Sequence, residues 1–143
     1  MTQNAPCVAR HINHVALAVK DINDTLAFYG KVFGVTTSDV EELPDQRVKA
    51  ALVRVGGSQL EIIQPTDAES GVAKFIDKRG EGVHHIAFEV DDLQGTLTRL
   101  GATGVDLIDK SPRHGLSGTI GFIHPKATRG VLIELVDAES ARR

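Results

Sequence analysis

The chain has 143 residues, 41% hydrophobic and 24% charged, which is enough for one soluble domain, or two fused half-size units, with a real core. Aromatic residues make up only 4% and Trp is absent, which argues against a stacking platform for single-stranded nucleic acid; the net charge of -3 argues against a general nucleic-acid binder. An acidic chain can still carry a local basic cluster for an anionic small ligand. Cys7 is the only cysteine, so there is no intrachain disulfide and no cysteine zinc site. No apolar run approaches the roughly 18 residues of a membrane span, and MTQNAPCVARH lacks the apolar core of a signal peptide. The expectation is a cytoplasmic protein with no nucleic-acid and no membrane partner.

A polar tail over 1–10 precedes a strand in HVALAV, where Val15, Leu17 and Val19 alternate with His14, Ala16 and Ala18. A helix follows, with Ile22, Leu26, Tyr29 and Phe33 as its apolar stripe, Asp21 or Asn23 as its cap and Gly34 as its end. Strand-like runs VTTSDVE, RVKAALVRV and SQLEIIQP come next. The segment 66–82 carries a short helix marked by Val72, Phe75 and Ile76. HHIAFEV then reads as a second strand of the first kind, and Leu93, Leu97 and Leu100 stripe a second helix ending near Gly101. VDLIDK, TIGFIHP and GVLIELV are its three following strands.

The two halves repeat one another. Residues 13–22, NHVALAVKDI, match residues 84–93, HHIAFEVDDL. GSQLEII (57–63) matches GVLIELV (130–136), each with Gly four residues before a Glu. His14 and Glu61 are 47 residues apart, and His85 and Glu134 are 49 apart. The reading is therefore a single α+β domain over 11–137, built from tandem βαβββ modules (11–65 and 83–137) joined by the connecting helix of 66–82. Its sheets are expected to be curved and antiparallel, with helices on one face.

Alternation puts His14, Glu61, His85 and Glu134 on the face away from the helices. Glutamates inside such apolar strands need a cation or a proton. Two His and two Glu without thiolate make a site for a divalent metal such as Co²⁺, Mn²⁺, Fe²⁺, Ni²⁺ or Zn²⁺, with two positions of an octahedron left for substrate oxygens. The remaining histidines are read otherwise: His84 as structural, His11 as exposed, His114 and His124 as outside the ligand set.

The motifs NHVALAV, LEI, HHIAFEV and LIEL resemble the vicinal oxygen chelate superfamily. GVHHIAFEVDDL (82–93) and FIHPKATRGVLIEL (122–135) are similar to the methylmalonyl-CoA epimerase family within it. The resemblance covers about residues 11–137 and implies a fold around a metal-binding cleft. It puts the family's metal ligands on His14, Glu61, His85 and Glu134, with Co²⁺ heading the candidate ions. It also implies interconversion of the 2R and 2S forms of methylmalonyl-CoA, by removal and return of the α-proton through an enolate that the metal stabilises. Such inversion wants an acid/base group on each face. Glu134 matches the family glutamate that serves as one. Where some members carry a second glutamate this chain has Lys49 or Ala50, leaving Glu41, Glu42 and Asp45, read as loop residues, as alternatives; Glu42 is the residue favoured.

The same resemblance makes Gln46 and Ser117 candidate substrate contacts. Lys110, Arg113, Lys126 and Arg129 form a basic rim for the anionic CoA, with Arg113 and Lys126 as its leading members. It further implies a homodimer working in propionate metabolism. Other chemistries of the fold remain as alternatives: a glyoxalase-like isomerase, an extradiol dioxygenase, or a metal-free binding protein of the bleomycin-resistance type.

Overall fold

The computed structural model describes residues 4–142. The chain divides into two compact units, one formed by residues 14–84 and the other by the N-terminal residues up to Asn13 together with His85 onward. Among the described residues, no helix is long and apolar enough to cross a membrane.

The first unit takes up strand β1 (His11–Ala18) from His14 on, then helix α1 (Ile22–Phe33), short strands β2 (Thr36–Thr37) and β3 (Glu41–Leu43), a 3-10 turn over Pro44–Gln46, strands β4 (Val48–Val55) and β5 (Ser58–Pro65), and helix α2 (Gly71–Arg79). Asp21 caps α1 by accepting the N–H of Asp24 at 3.0 Å, and Gly34 ends it at φ 65°, a left-handed conformation that costs glycine little. The stripe of α1 is only partly used. Ile22 is buried, and Leu26 packs with Leu17, Val19, Val53 and Ile62, but Phe33 stands exposed. The run VTTSDVE does not form one strand: β2 and β3 both lie antiparallel along β4, interrupted over 38–40.

β4 and β5 form an antiparallel hairpin, and β5 then pairs in parallel with β1, with Ala16 beside Glu61. The expected antiparallel runs are present, and a parallel pairing adds the first strand of the unit to them. Chain-adjacent strands pair antiparallel, while the crossover through α1 brings β1 back alongside the last strand of its own unit in parallel.

The second unit contains β6 (Gly82–Val90), which it shares from His85 onward, helix α3 (Leu93–Ala102), and strands β7 (Arg113–Gly115), β8 (Gly118–Ile123) and β9 (Ile133–Asp137). β7, β8 and β9 are successive antiparallel neighbours, and β9 pairs in parallel with β6, with Ala87 beside Glu134. Leu93, Leu97 and Leu100 of α3 are buried against Val90, Ile123, Ile133 and Leu135, as their spacing predicts. VDLIDK is not a strand. Leu107 makes one isolated bridge to Ile123, the N–H groups of Ile108 and Asp109 both donate to the Phe122 carbonyl, and the edge strand forms from RHG instead.

Candidate functional site

In the first unit, pleating fixes which side chains share a face. Glu61 pairs with Ala16 on one side and with Leu52 on the other, so it shares a face with His14, two residues before Ala16. Leu60 and Ile62 turn to the helix-side core with Leu17 and Val19. His14 and Glu61 are 0% and 6% exposed, and His14 Nε2 stands 3.6 Å from Glu61 Oε2.

The second unit repeats this register. Glu134 pairs with Ala87 on one side and Phe122 on the other, with His85 two residues before Ala87. His85 and Glu134 are 3% and 4% exposed, and His85 Nε2 stands 3.5 Å from Glu134 Oε2. Each nitrogen–oxygen separation is longer than a hydrogen bond. Two ligands each about 2.1 Å from one ion would lie roughly 3.0–3.4 Å apart, close to what is seen. Imidazole and carboxylate donors, buried in apolar strands without thiolate, fit a divalent cation.

Phe122, which the sequence reading did not single out, walls the second pair. Its ring meets the His85 imidazole edge-on, with centroids 5.2 Å apart, and carries the Arg113 guanidinium carbon 5.3 Å from its centroid. Arg113 pairs with Ile120, and Ile120 with Val136, so Arg113 is on the face of Glu134. Only the strand register reveals this, as it reveals Leu52 in the matching place opposite Glu61.

The other expected site residues are spread more widely. Glu41 and Glu42 are strand residues of β3, not loop residues. Glu42 pairs with Lys49, which sits beside Gln64, on the opposite face from Glu61; Glu41 pairs with Ala50, two residues before Leu52, on the same face as Glu61. Glu41 rather than Glu42 therefore stands on the Glu61 face, because adjacent strand residues point to opposite faces. Gln46 is half-buried at the end of the 3-10 turn, and Asp45 is exposed within it. Ser117 is 1% exposed in the turn between β7 and β8, where its carbonyl accepts the Arg142 N–H at 2.8 Å. Lys110 and Arg129 are exposed. Two rim cations have local counter-charges: Arg113 Nε lies 3.2 Å from Asp109, and Lys126 Nζ lies 3.9 Å from Asp106.

The remaining histidines separate by surroundings. His84 packs edge-on against Phe75, centroids 4.9 Å apart, and burial pushes its imidazole down to about 4. His11 is half-exposed and stands 3.0 Å from Glu89. His124 accepts the Lys126 N–H through Nδ1 at 3.0 Å.

Tandem βαβββ units that present a His and a Glu at matched register are the arrangement of a known superfamily. The chain belongs to the glyoxalase/bleomycin resistance protein/dioxygenase superfamily, whose family profile matches residues 13–122. Within it the chain stands with the methylmalonyl-CoA epimerases. It is 33% identical over 129 residues to the human mitochondrial methylmalonyl-CoA epimerase, covering 89% of this chain and 73% of that one. The crystal structure of the Mycobacterium tuberculosis methylmalonyl-CoA epimerase superposes with a TM-score of 0.87 at 36% identity, covering 96% of this chain and 92% of that one. A methylmalonyl-CoA epimerase in complex with methylmalonyl-CoA and NH4+ gives a TM-score of 0.87 at 33% identity, covering 95% of this chain and all (100%) of the other. The chain is an epimerase of the α+β glyoxalase fold.

Proposed function

We propose that this epimerase interconverts the 2R and 2S forms of methylmalonyl-CoA with one divalent cation held by His14, Glu61, His85 and Glu134. The observation that carries the reading is the duplicated register: Glu61 beside Ala16 and Glu134 beside Ala87, each with a buried His two residues away. When bound, the ion supplies Lewis-acid stabilisation of the charge that develops on the substrate oxygens. The four-residue donor set favours this over a dioxygenase, which uses two His and one carboxylate, and over a metal-free binding protein, which would fill such positions with apolar side chains.

The proton work falls to two carboxylates. Glu134 takes the proton from C2 on one face of the substrate, or returns it there. Glu41 does the same on the other face, in place of Glu42; what supports it is its position on the Glu61 face of the β3–β4–β5 strands and its exposure, which lets it exchange protons with water. Arg113 and Lys126 meet the anionic parts of the acyl-CoA, and Gln46 and Ser117 contact the acyl portion. The same reading has a homodimer in the cytoplasm, with Co²⁺ as the first ion to test.

The deciding experiment incubates methylmalonyl-CoA with Co²⁺-loaded protein in D₂O and follows C2 by NMR and chiral analysis. Inversion with one deuterium gained per turnover is expected. Absence of exchange with Co²⁺, Mn²⁺, Ni²⁺ and Zn²⁺ alike would sink the assignment.

A further inference from the structure

Glu89 is a buried carboxylate that this chemistry leaves unused. It lies on β6 four residues after His85, on the same face by alternation, and is 1% exposed. Both of its carboxylate oxygens are engaged by the segment that leads into His14. Asn13 Nδ2 donates to Oε1 at 3.0 Å, and His11 Nε2 stands 3.0 Å from Oε2. The Glu89 carbonyl accepts the N–H of Arg10 at 2.8 Å. Asn13 is itself 4% exposed.

The internal repeat shows that the strand does not need a carboxylate at this place. The residue matching Glu89 in the first copy is Ala18, 0% exposed, and the residue matching Asn13 in the second copy is His84. A carboxylate taken out of water is costly unless well partnered, and here one residue grips positions 10, 11 and 13 of the chain just before a proposed metal ligand. We propose that Glu89 is a positioning residue for His14. By holding the backbone and side chains on the N-terminal side of His14, it sets the direction in which the His14 imidazole is presented to a divalent cation. The proposal rests on the metal reading above. Groups that orient metal ligands from behind typically change metal affinity about 10–100-fold when removed.

The test titrates Co²⁺ into metal-free wild-type protein and into Glu89→Ala, Glu89→Gln and His11→Ala variants. Visible absorption of the bound ion is the readout, and the thermal midpoint of each metal-free protein is measured alongside. The wild type is expected to take up one ion per chain. Glu89→Ala binds it at least about tenfold more weakly. Glu89→Gln keeps the shape and an acceptor for Asn13, and recovers affinity to within a few-fold of wild type. His11→Ala removes a single partner from a half-exposed position, falls between the two, and serves where Glu89→Ala does not fold. Wild-type affinity in Glu89→Ala, or in His11→Ala if the former is unfolded, overturns the positioning role while the metal reading stands. No ion uptake by the wild type overturns both.

Discussion

The imidazole of His85 stands almost perpendicular to the ring of Phe122, at 86°, with the Arg113 guanidinium over the same ring. An aromatic contact of this kind is worth about 0.5–1.5 kcal/mol beyond area burial. Phe122→Leu keeps an apolar side chain on β8 but removes the ring that fixes the orientation of His85. Co²⁺ affinity is expected to fall by roughly two- to thirteenfold, the same contact energy written as a ratio. Isothermal titration checks it; unchanged affinity would mean that the ring only fills space.

Glu41 and Glu42 offer a sharper contrast, because neighbouring residues on one strand carry opposite predictions. Glu41→Gln removes the proposed proton carrier from the Glu61 face, and Glu42→Gln removes the cross-strand partner of Lys49. Glu41→Gln is expected to lower the inversion rate on the order of 10²–10⁴-fold, with Glu42→Gln staying near wild type. Glu41→Gln should leave metal content intact, which separates proton transfer from ligation. A wild-type inversion rate in Glu41→Gln refutes its role.

Metal removal should be visible as lost stability. An ion that binds only the folded chain, at a free concentration of 100 times its Kd, stabilises by about 2.7 kcal/mol. For a chain of this length that is a rise in Tm of roughly 5–10 °C. His14→Ala and His85→Ala should each abolish the rise and leave less than one ion per chain by elemental analysis. A full metal-induced shift in either variant removes that histidine from the ligand set.

The repeat makes much of the fold legible, and with it the matched strand positions of His14, Glu61, His85 and Glu134, because the period-two alternation of HVALAV and HHIAFEV and the recurrence of Glu four residues after Gly are local signals. Register is not local. The sequence favours Glu42, and only the pairing of β3 with β4 shows that Glu41 is the one on the Glu61 face, since a one-residue slip exchanges the two faces. VDLIDK carries strand-like residues, yet its Leu107 turns into the α3-side core while RHG, without alternation, takes the edge because Arg113 aligns with Ile120. Phe122 and Glu89 gained meaning only from what the folded strands set beside them.

Gly118 closes the β7–β8 turn at φ 134°, where other residues are strained. A Cβ there would sit 2.6 Å from the Ser140 carbonyl oxygen, and the obstacle is backbone rather than a movable side chain. The segment around Ser140 is tied down: Ser140 Oγ accepts the Thr119 N–H at 2.9 Å, and Arg142 donates its N–H to the Ser117 carbonyl at 2.8 Å and its guanidinium to Leu116 O at 3.2 Å. Gly118→Ala therefore has to shift this strap or distort the turn holding Ser117, and should cost about 2–4 kcal/mol, since backbone strain of this kind adds to a steric clash. Gly57 has nothing within 4 Å of a built Cβ and no positive φ, so Gly57→Ala is the control, expected within about 0.5 kcal/mol of wild type. Urea denaturation of the two variants distinguishes them, and equal midpoints would show that the strap yields freely.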